Sequence, residues 1–303
     1  MTRAIDALIP VLIRLFQTLR TEQGLSQDAL ADRANIHRTT IGLLERGDRE
    51  PSLSIAAQIA EGLGYPLSEL LAKARLISEG KLSEEDAFAE EKVRLLDPRH
   101  LRNCDVFEDF IGLRSSALLE AIQGCYHTLD MMDDQLTFRN SPPVARLVEL
   151  ANLSSMVGNL VGGAFAEASQ GLYQRNRPHH YPDLLPLRQP ARNLELKVAL
   201  ETNRPKGHLP KPGRFITFRY VLGDRRGNFV RGKEFRGDTV WFWEVKIGSL
   251  RETDYAISNT AGDSGKTAVI KSEKFKSMAL VYFNPSFCPH PANHSGSIYP
   301  GFN

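Results

Sequence analysis

The first 76 residues are punctuated so densely by helix starts and stops that only short helices can form there. From Ile5 to Arg20 apolar residues recur at Leu8, Leu12, Leu15, Phe16 and Leu19, a helical period, and Gly24 ends the run. Ser26 is a natural N-cap for a helix over Gln27 to Ala34, and Asn35-Ile36-His37 reads as a turn. A third helix spans Arg38 to Arg46 and stops at Gly47, a fourth runs from about Leu53 to Leu63, and a fifth from Leu67 to about Leu76. Five short helices with tight turns predict a compact all-helical unit.

Read in order, the opening Ser26-Gln27, Leu30-Ala31, Ile41, Leu44-Glu45-Arg46-Gly47, Pro51-Ser52-Leu53 and Leu67-Ser68-Glu69-Leu70 carry a further signal. Residues 8 to 76 resemble the lambda-repressor-like helix-turn-helix family, which includes the small controller proteins of restriction-modification systems. The resemblance implies that the second helix braces the DNA backbone and the third enters the major groove. His37, Arg38, Thr39 and Thr40 would then face bases, and Gln27 and Arg46 would face phosphates or the neighbouring helix. Arginine can read guanine edges and threonine methyls can pack on thymine methyls, so direct readout is chemically feasible. The plainer reading is a helical bundle used for protein contacts, but it leaves the polar residues that open the third helix without a purpose.

Residues 77 to 104 read as an acidic linker: Glu79, Glu84, Glu85, Asp86, Glu90 and Glu91 would be repelled by DNA. Apolar spacing at Phe107, Phe110, Ile111, Leu118, Leu119 and Ile122 predicts one or two helices between Asp105 and Leu136. Asn140-Ser141-Pro142-Pro143 breaks them. Val144 to about Tyr173 reads as a long helical region, with Gly158, Gly162 and Gly163 allowing close packing against a sheet. Strands are expected at Arg214 to Leu222, Thr239 to Leu250 and Ser277 to Phe283, from their β-branched and aromatic content.

The stretch from His179 to Glu201 carries the chemistry. Asp183 follows a proline, and twelve residues later comes Glu195-Leu196-Lys197. On a strand, side chains alternate, so Glu195 and Lys197 share one face while Leu194, Leu196 and Val198 take the other. A lone acid and lysine two apart is usually a solvated face. The preceding Pro-Asp alters that, because two carboxylates converging from neighbouring strand ends make a hard-oxygen site for Mg²⁺, completed by water and a phosphate oxygen. The lysine is then placed to orient an attacking water and offset phosphate charge. This run resembles the PD-(D/E)XK nuclease core shared by many type II restriction endonucleases. The resemblance implies that Asp183 and Glu195 are metal ligands and Lys197 the third catalytic residue. Relatives of that fold carry a further acid on the preceding helix, for which Glu167 is the candidate and Glu149 the substitute.

A second Glu-x-Lys, Glu244-Val245-Lys246, lies in the apolar run from Val240 to Leu250, with Asp224 or Asp238 upstream. It ranks lower. Neither upstream acid follows a proline, and Trp241-Phe242-Trp243 reads as a packed core strand. Two other signals are set aside: Gly262 to Thr267 imitates a phosphate loop but has Thr260 where the first glycine belongs, and Cys288, His290 and His294 lack a second pair to complete a tetrahedral metal site.

Charge divides the chain. Residues 1 to 76 hold nine basic and nine acidic side chains, residues 77 to 150 eight and fifteen, and residues 151 to 303 twenty-one and twelve. The positive field therefore belongs to the C-terminal half and suits a polyanion. Arg225, Arg226, Arg231, Lys233 and Arg236 cluster there with glycines and are the best candidates for DNA contact outside the N-terminal helices. The loop from Asn203 to Gly213 adds Arg204, Lys206, His208 and Lys211. Three scattered cysteines form no CxxC pair, and no signal peptide or membrane span is recognisable, so a cytoplasmic protein is expected.

These readings predict an α+β multidomain chain: an all-α five-helix helix-turn-helix domain over 1 to 76, a linker over 77 to 104, and an α/β PD-(D/E)XK core with a mixed central sheet over 105 to 303. The expected function is a Mg²⁺-dependent, sequence-specific DNA endonuclease of restriction type, with double-stranded DNA as substrate, a homodimer as the working form and a cognate DNA methyltransferase in the same system. The alternative is a transcription regulator whose C-terminal domain senses or oligomerises without catalysis.

Overall fold

The computed structural model describes residues 2–80, 83–84, 94–178, 180–258, 267–291 and 299, with the side chains of 2–6 left aside. Contacts divide the chain into two compact units, Met1–Lys92 and Val93–Asn303.

The first unit has helices where they are expected, α1 Thr2–Glu22, α2 Gln27–Arg33, α3 Arg38–Glu45, α4 Leu53–Leu63 and α5 Leu67–Ser78, but α1, at 21 residues, is not the short helix predicted. Their ends follow from the sequence. The Ser26 hydroxyl accepts from the Ala29 amide at 3.0 Å, and Ser52 accepts from Ile55 at 3.3 Å, each satisfying an amide the first turn cannot. Gly64 closes α4 in the left-handed region at φ 82°, where a side chain would be strained. Leu12, Leu15, Phe16, Leu30, Ile41, Leu44, Ile59 and Leu70 interlock as one core.

The second unit sets helices against a mixed sheet. Its helices are α6 Cys104–Ile111, α7 Ser116–Phe138, α8 Val144–Leu147, α9 Leu150–Ala168 and α10 Ser272–Ser277. The principal sheet runs in the order β3 (Glu195–Leu200), β5 (Gly213–Gly223), β6 (Thr239–Leu250), β9 (Ala279–Phe283). β3 lies parallel to β5, and the other two pairings are antiparallel. A short hairpin, β1 (Tyr173–Arg175) with β2 (Leu184–Pro186), and a three-stranded sheet of β4 (Lys206–Gly207), β8 (Thr267–Ile270) and β7 (Tyr255–Ser258) complete it.

The main core lies between α7, α9 and one face of the sheet, where Leu118, Ile122, Leu153, Val157 and Phe165 meet Ile216, Phe218, Phe242 and Val245. At Gly158, where α9 packs on β3, a Cβ would stand 3.4 Å from a Val198 methyl, an ordinary contact distance. One extra residue, Trp243, bulges from β6 opposite the step from Arg219 to Tyr220. The bulge keeps Val240 and Phe242 on the helix side before it and Val245 and Ile247 on that side after it. The amide of Phe242 is satisfied by the Tyr126 hydroxyl at 2.7 Å.

Several expectations are corrected here. The long helical region does not reach Tyr173: it breaks at Val148–Glu149, ends at Ala168, and Tyr173 opens a strand. A Cβ on Gly163 would meet nothing, so that glycine does not serve packing, whereas one on Gly162 would strike the Arg175 guanidinium at 2.4 Å. Residues 94–104, read as part of the linker, are built into the second unit. Arg94 is 5% exposed, pairs with Asp130 at 2.7 Å and lies 4.0 Å over the Tyr126 ring, and the Asn103 amide donates to the Leu280 carbonyl. Of the acidic stretch itself, Glu85, Asp86, Glu90 and Glu91 lie outside the described residues.

Candidate functional site

The β1–β2 hairpin delivers Asp183 to the start of β3. Leu184 and Leu194 exchange backbone hydrogen bonds at 3.0 and 3.1 Å, which fixes the aspartate one residue before that bridge and the glutamate one residue after its partner. The two acids then brace each other crosswise. The Asp183 carboxylate accepts from the Leu196 amide at 2.9 Å, and the Glu195 carboxylate accepts from the Asp183 amide at 3.2 Å. Lys197, on the same face of β3, donates its ammonium to the other Glu195 oxygen. Glu195 is only 4% exposed, so the expected charged face is sunk into the unit and not spread in solvent. Burial pushes its carboxyl up, Lys197 draws it back, and Asp183 adds to the rise.

Two further residues border this trio. Tyr181 donates its hydroxyl to the Pro212 carbonyl, and the Lys211 ammonium stands 4.6 Å over its ring. Burial, then the Glu195 and Asp183 charges, push the Tyr181 phenol up. The sequence marks Lys211 only as one cation of a surface loop and does not single out Tyr181. The available signal was its position two residues before Asp183.

The further acid expected on the preceding helix does not join them. Glu167 is exposed near the C-terminal end of α9, Glu149 is exposed at its N-cap, and neither has a hydrogen bond or ion pair with Asp183, Glu195 or Lys197. Among the described residues no group of three or more His, Cys, Asp or Glu side chains is arranged to hold a metal. The pair Asp183 and Glu195 nonetheless fits Mg²⁺ by donor chemistry. Both are hard-oxygen ligands held rigid by backbone amides, and Mg²⁺ takes one or two carboxylates and fills its octahedron with water and substrate oxygens. The Lys197 ammonium now offsets the charge that a cation would share.

The second Glu-x-Lys is built differently. The Glu244 carboxylate accepts from Arg219 and from the Tyr299 hydroxyl, all three of them buried. Lys246 is fully buried and donates to the Phe275 and Lys276 carbonyls at 3.2 Å. Asp224 is taken up by Asn228, and Asp238 by Arg146 at 3.4 Å. This second trio is a polar core. Of the set-aside signals, Cys288 and His290 are likewise packed near Trp243, while His294 and Gly262 to Lys266 lie outside the described residues.

In the first unit, the turn between α2 and α3 passes through Asn35 at φ 50°. His37 caps α3, its Nδ1 accepting from the Thr39 amide at 3.3 Å and sharing a 2.7 Å hydrogen bond with the Thr39 hydroxyl. His37, Arg38 and Thr39 are exposed and Thr40 half-buried, a polar edge at the helix start. Asp28 holds Arg38 at 3.2 Å. Gln27 donates to Glu45 at 2.7 Å, where Arg20 also binds, so of its two expected roles it takes the contact with the neighbouring helix. Arg46 is exposed and pairs with Asp48 at 2.8 Å.

The basic cluster is more tethered than expected. Arg225 pairs with Asp134, the Arg231 Nε donates to the Cys288 carbonyl at 3.2 Å, and Arg236 grips Glu201 through two nitrogens at 2.6 and 2.9 Å. Arg226 and Lys233 are exposed. Among the described residues no helix is long and apolar enough to cross a membrane.

Similarity to known proteins concentrates on the first unit. Residues 16–70 match the helix-turn-helix family HTH_3. An uncharacterised HTH-type transcriptional regulator from Methanothermobacter thermautotrophicus is 46% identical over 50 residues, 16% of this chain and 72% of that protein. Among solved structures, the restriction-modification controller protein C.AhdI from Aeromonas hydrophila is 35% identical over 21% of this chain and 94% of its own, with a TM-score of 0.20. An HTH_3 family transcriptional regulator from Vibrio cholerae is 26% identical over 24% of this chain and 41% of its own, with a TM-score of 0.22.

Proposed function

Because the chain belongs, through residues 16–70, to the helix-turn-helix family, we propose that it is a DNA-binding protein of regulator type whose second unit adds a Mg²⁺-dependent DNA endonuclease. The regulator half is the coarser reading, and the similar sequences support it. Exposed His37, Arg38 and Thr39 at the start of α3 supply groove-facing donors, acceptors and methyls. Replacing Arg38 with alanine costs about 1–3 kcal/mol of binding to the preferred sequence and much less for random duplexes.

The nuclease half rests on one observation: Asp183, Glu195 and Lys197 converge from two strand ends into a single hydrogen-bonded trio. Bound Mg²⁺ would supply Lewis-acid polarisation of the phosphate and charge neutralisation. The chain's own contribution is placement. Asp183 and Glu195 would hold the cation, and Lys197 would align a water for in-line attack and offset the charge gathering on the phosphoryl oxygens. The water oxygen bonds to phosphorus as the bond to the 3′ oxygen breaks; the water proton passes to solvent and the leaving oxygen takes one from it. One such trio per chain makes a homodimer the simplest agent of a double-strand cut, and sedimentation of the DNA complex tests it.

Incubation with methylated and unmethylated plasmid DNA and Mg²⁺ is the test. Cleavage that disappears with a chelator and with Asp183→Ala supports the nuclease. Intact DNA under every condition leaves the regulator with a non-catalytic sensor or oligomerisation unit, the reading the similar proteins favour; discrimination between the plasmids would point to a partner methyltransferase.

A further inference from the structure

Beside the trio sits a cation that the proposed hydrolysis leaves unassigned. Lys211 is half-buried, its ammonium stands 4.6 Å over the Tyr181 ring, and its charge bears on Glu195 without an ion pair among the described residues. Its backbone is unusually well fixed. The Tyr255 hydroxyl donates to the Lys211 carbonyl at 3.0 Å, the Tyr181 hydroxyl donates to the next carbonyl, and prolines 210 and 212 restrict the chain on both sides. Tyr181 itself is two residues from Asp183. An ammonium carried on so constrained a backbone, steered by a ring and within electrostatic reach of Glu195 without forming an ion pair with it, is arranged for an anion that comes from outside.

We propose that Lys211 is a second phosphate-binding cation of this site, contacting a non-bridging oxygen of the DNA backbone at or next to the bond being hydrolysed. The inference rests on the nuclease reading for its meaning, and deepens it by dividing the labour: Lys197 is hydrogen-bonded to Glu195, whereas Lys211 acts on that carboxylate only through space and keeps its donors for the substrate. The flat Tyr181 face suits the task, because it orients the ammonium by attraction without neutralising it as an acid would.

The experiment compares the full chain with Lys211→Gln and Lys211→Arg in two measurements, with thermal melting of each variant as a control for folding. The first is duplex binding over a range of salt with Ca²⁺ in place of Mg²⁺; the second is plasmid cleavage in single turnover with Mg²⁺. Lys211→Gln is expected to lower the slope of log affinity against log salt by about 0.9, the signature of one lost phosphate contact. It is expected to slow cleavage about 100-fold, as loss of one donor to a transition-state oxygen does. Lys211→Arg should restore the slope and much of the rate. An unchanged slope overturns the proposal, even if cleavage slows, since the charge would then act elsewhere than on phosphate. Should the parent chain fail to cleave, the nuclease reading falls by itself, and the slope alone decides Lys211.

Discussion

Two Glu-x-Lys tripeptides lie two strands apart in one sheet and are made into different things. Glu195-Leu196-Lys197 is on β3, an edge strand, and Glu244-Val245-Lys246 is on β6, flanked on both sides. The edge position leaves Lys197 a quarter exposed and lets Asp183 approach from a hairpin outside the sheet. The central position seals Glu244 under Arg219 and Tyr299, and Lys246 under α10, where two backbone carbonyls take its ammonium. The same local spelling thus yields a site or a core according to what borders the strand. An answered buried charge adds no reactivity.

The largest effect should separate them by activity. Asp183→Ala and Glu195→Ala are expected to abolish plasmid cleavage while DNA binding persists, because one carboxylate alone cannot gather the cation. Lys197→Ala should also stop cleavage without necessarily weakening metal binding. Glu244→Gln, assayed on its folded fraction, should still cleave. Loss of cleavage in folded Glu244→Gln, with full activity in Asp183→Ala, would break the comparison and move the chemistry to β6.

By stability the order reverses. Removing Glu244 leaves Arg219 buried and unpaired, which costs about 3–5 kcal/mol, and denaturant unfolding of Glu244→Ala should show it. Glu195→Ala should cost far less, since Lys197 reaches solvent when released. Lys246→Met sharpens the point: replacing a desolvated ammonium, which burial already pulls down, by an apolar chain of similar length should change stability by less than about 2 kcal/mol. A large loss there would mean that the two carbonyl contacts of Lys246 matter more than its burial.

How much of this was readable beforehand follows the range of the forces involved. The helix ends of the first unit are set by neighbours in sequence, Ser26, Ser52, Gly47 and Gly64 among them, and, apart from the start of α1 at Thr2, could be placed to within a residue or two. The aromatic run on β6 announced a core strand. Its bulge at Trp243 did not, because a bulge is settled by the register with β5. Asp183 could be read at a strand end, but its hairpin with Tyr173–Arg175 could not, and the crosswise bracing of the two acids depends on the bridge between Leu184 and Leu194. Tyr299 closing over Glu244 and Tyr181 steering Lys211 are contacts across 55 and 30 positions, which no local pattern encodes.

The smallest effect concerns acidity, and it tests whether the edge trio is held for a cation. Burial raises the Glu195 carboxyl above its ordinary value of 4.5, with Asp183 adding to the rise against the pull of Lys197. Between the ordinary and the raised value the folded chain keeps a proton that the unfolded chain has released. Stability therefore falls as pH climbs through that window, and the contribution is fully present below it. Magnesium needs the ionised form, so its binding should move the other way. The rise in melting temperature on adding Mg²⁺ should be small near about pH 5 and larger near about pH 8. In Glu195→Gln both trends should flatten, since glutamine neither titrates nor offers a carboxylate. A Mg²⁺ response that is equal at the two pH values, or that survives in Glu195→Gln, would place the cation elsewhere and leave β3 with a buried ion pair no more reactive than the one on β6.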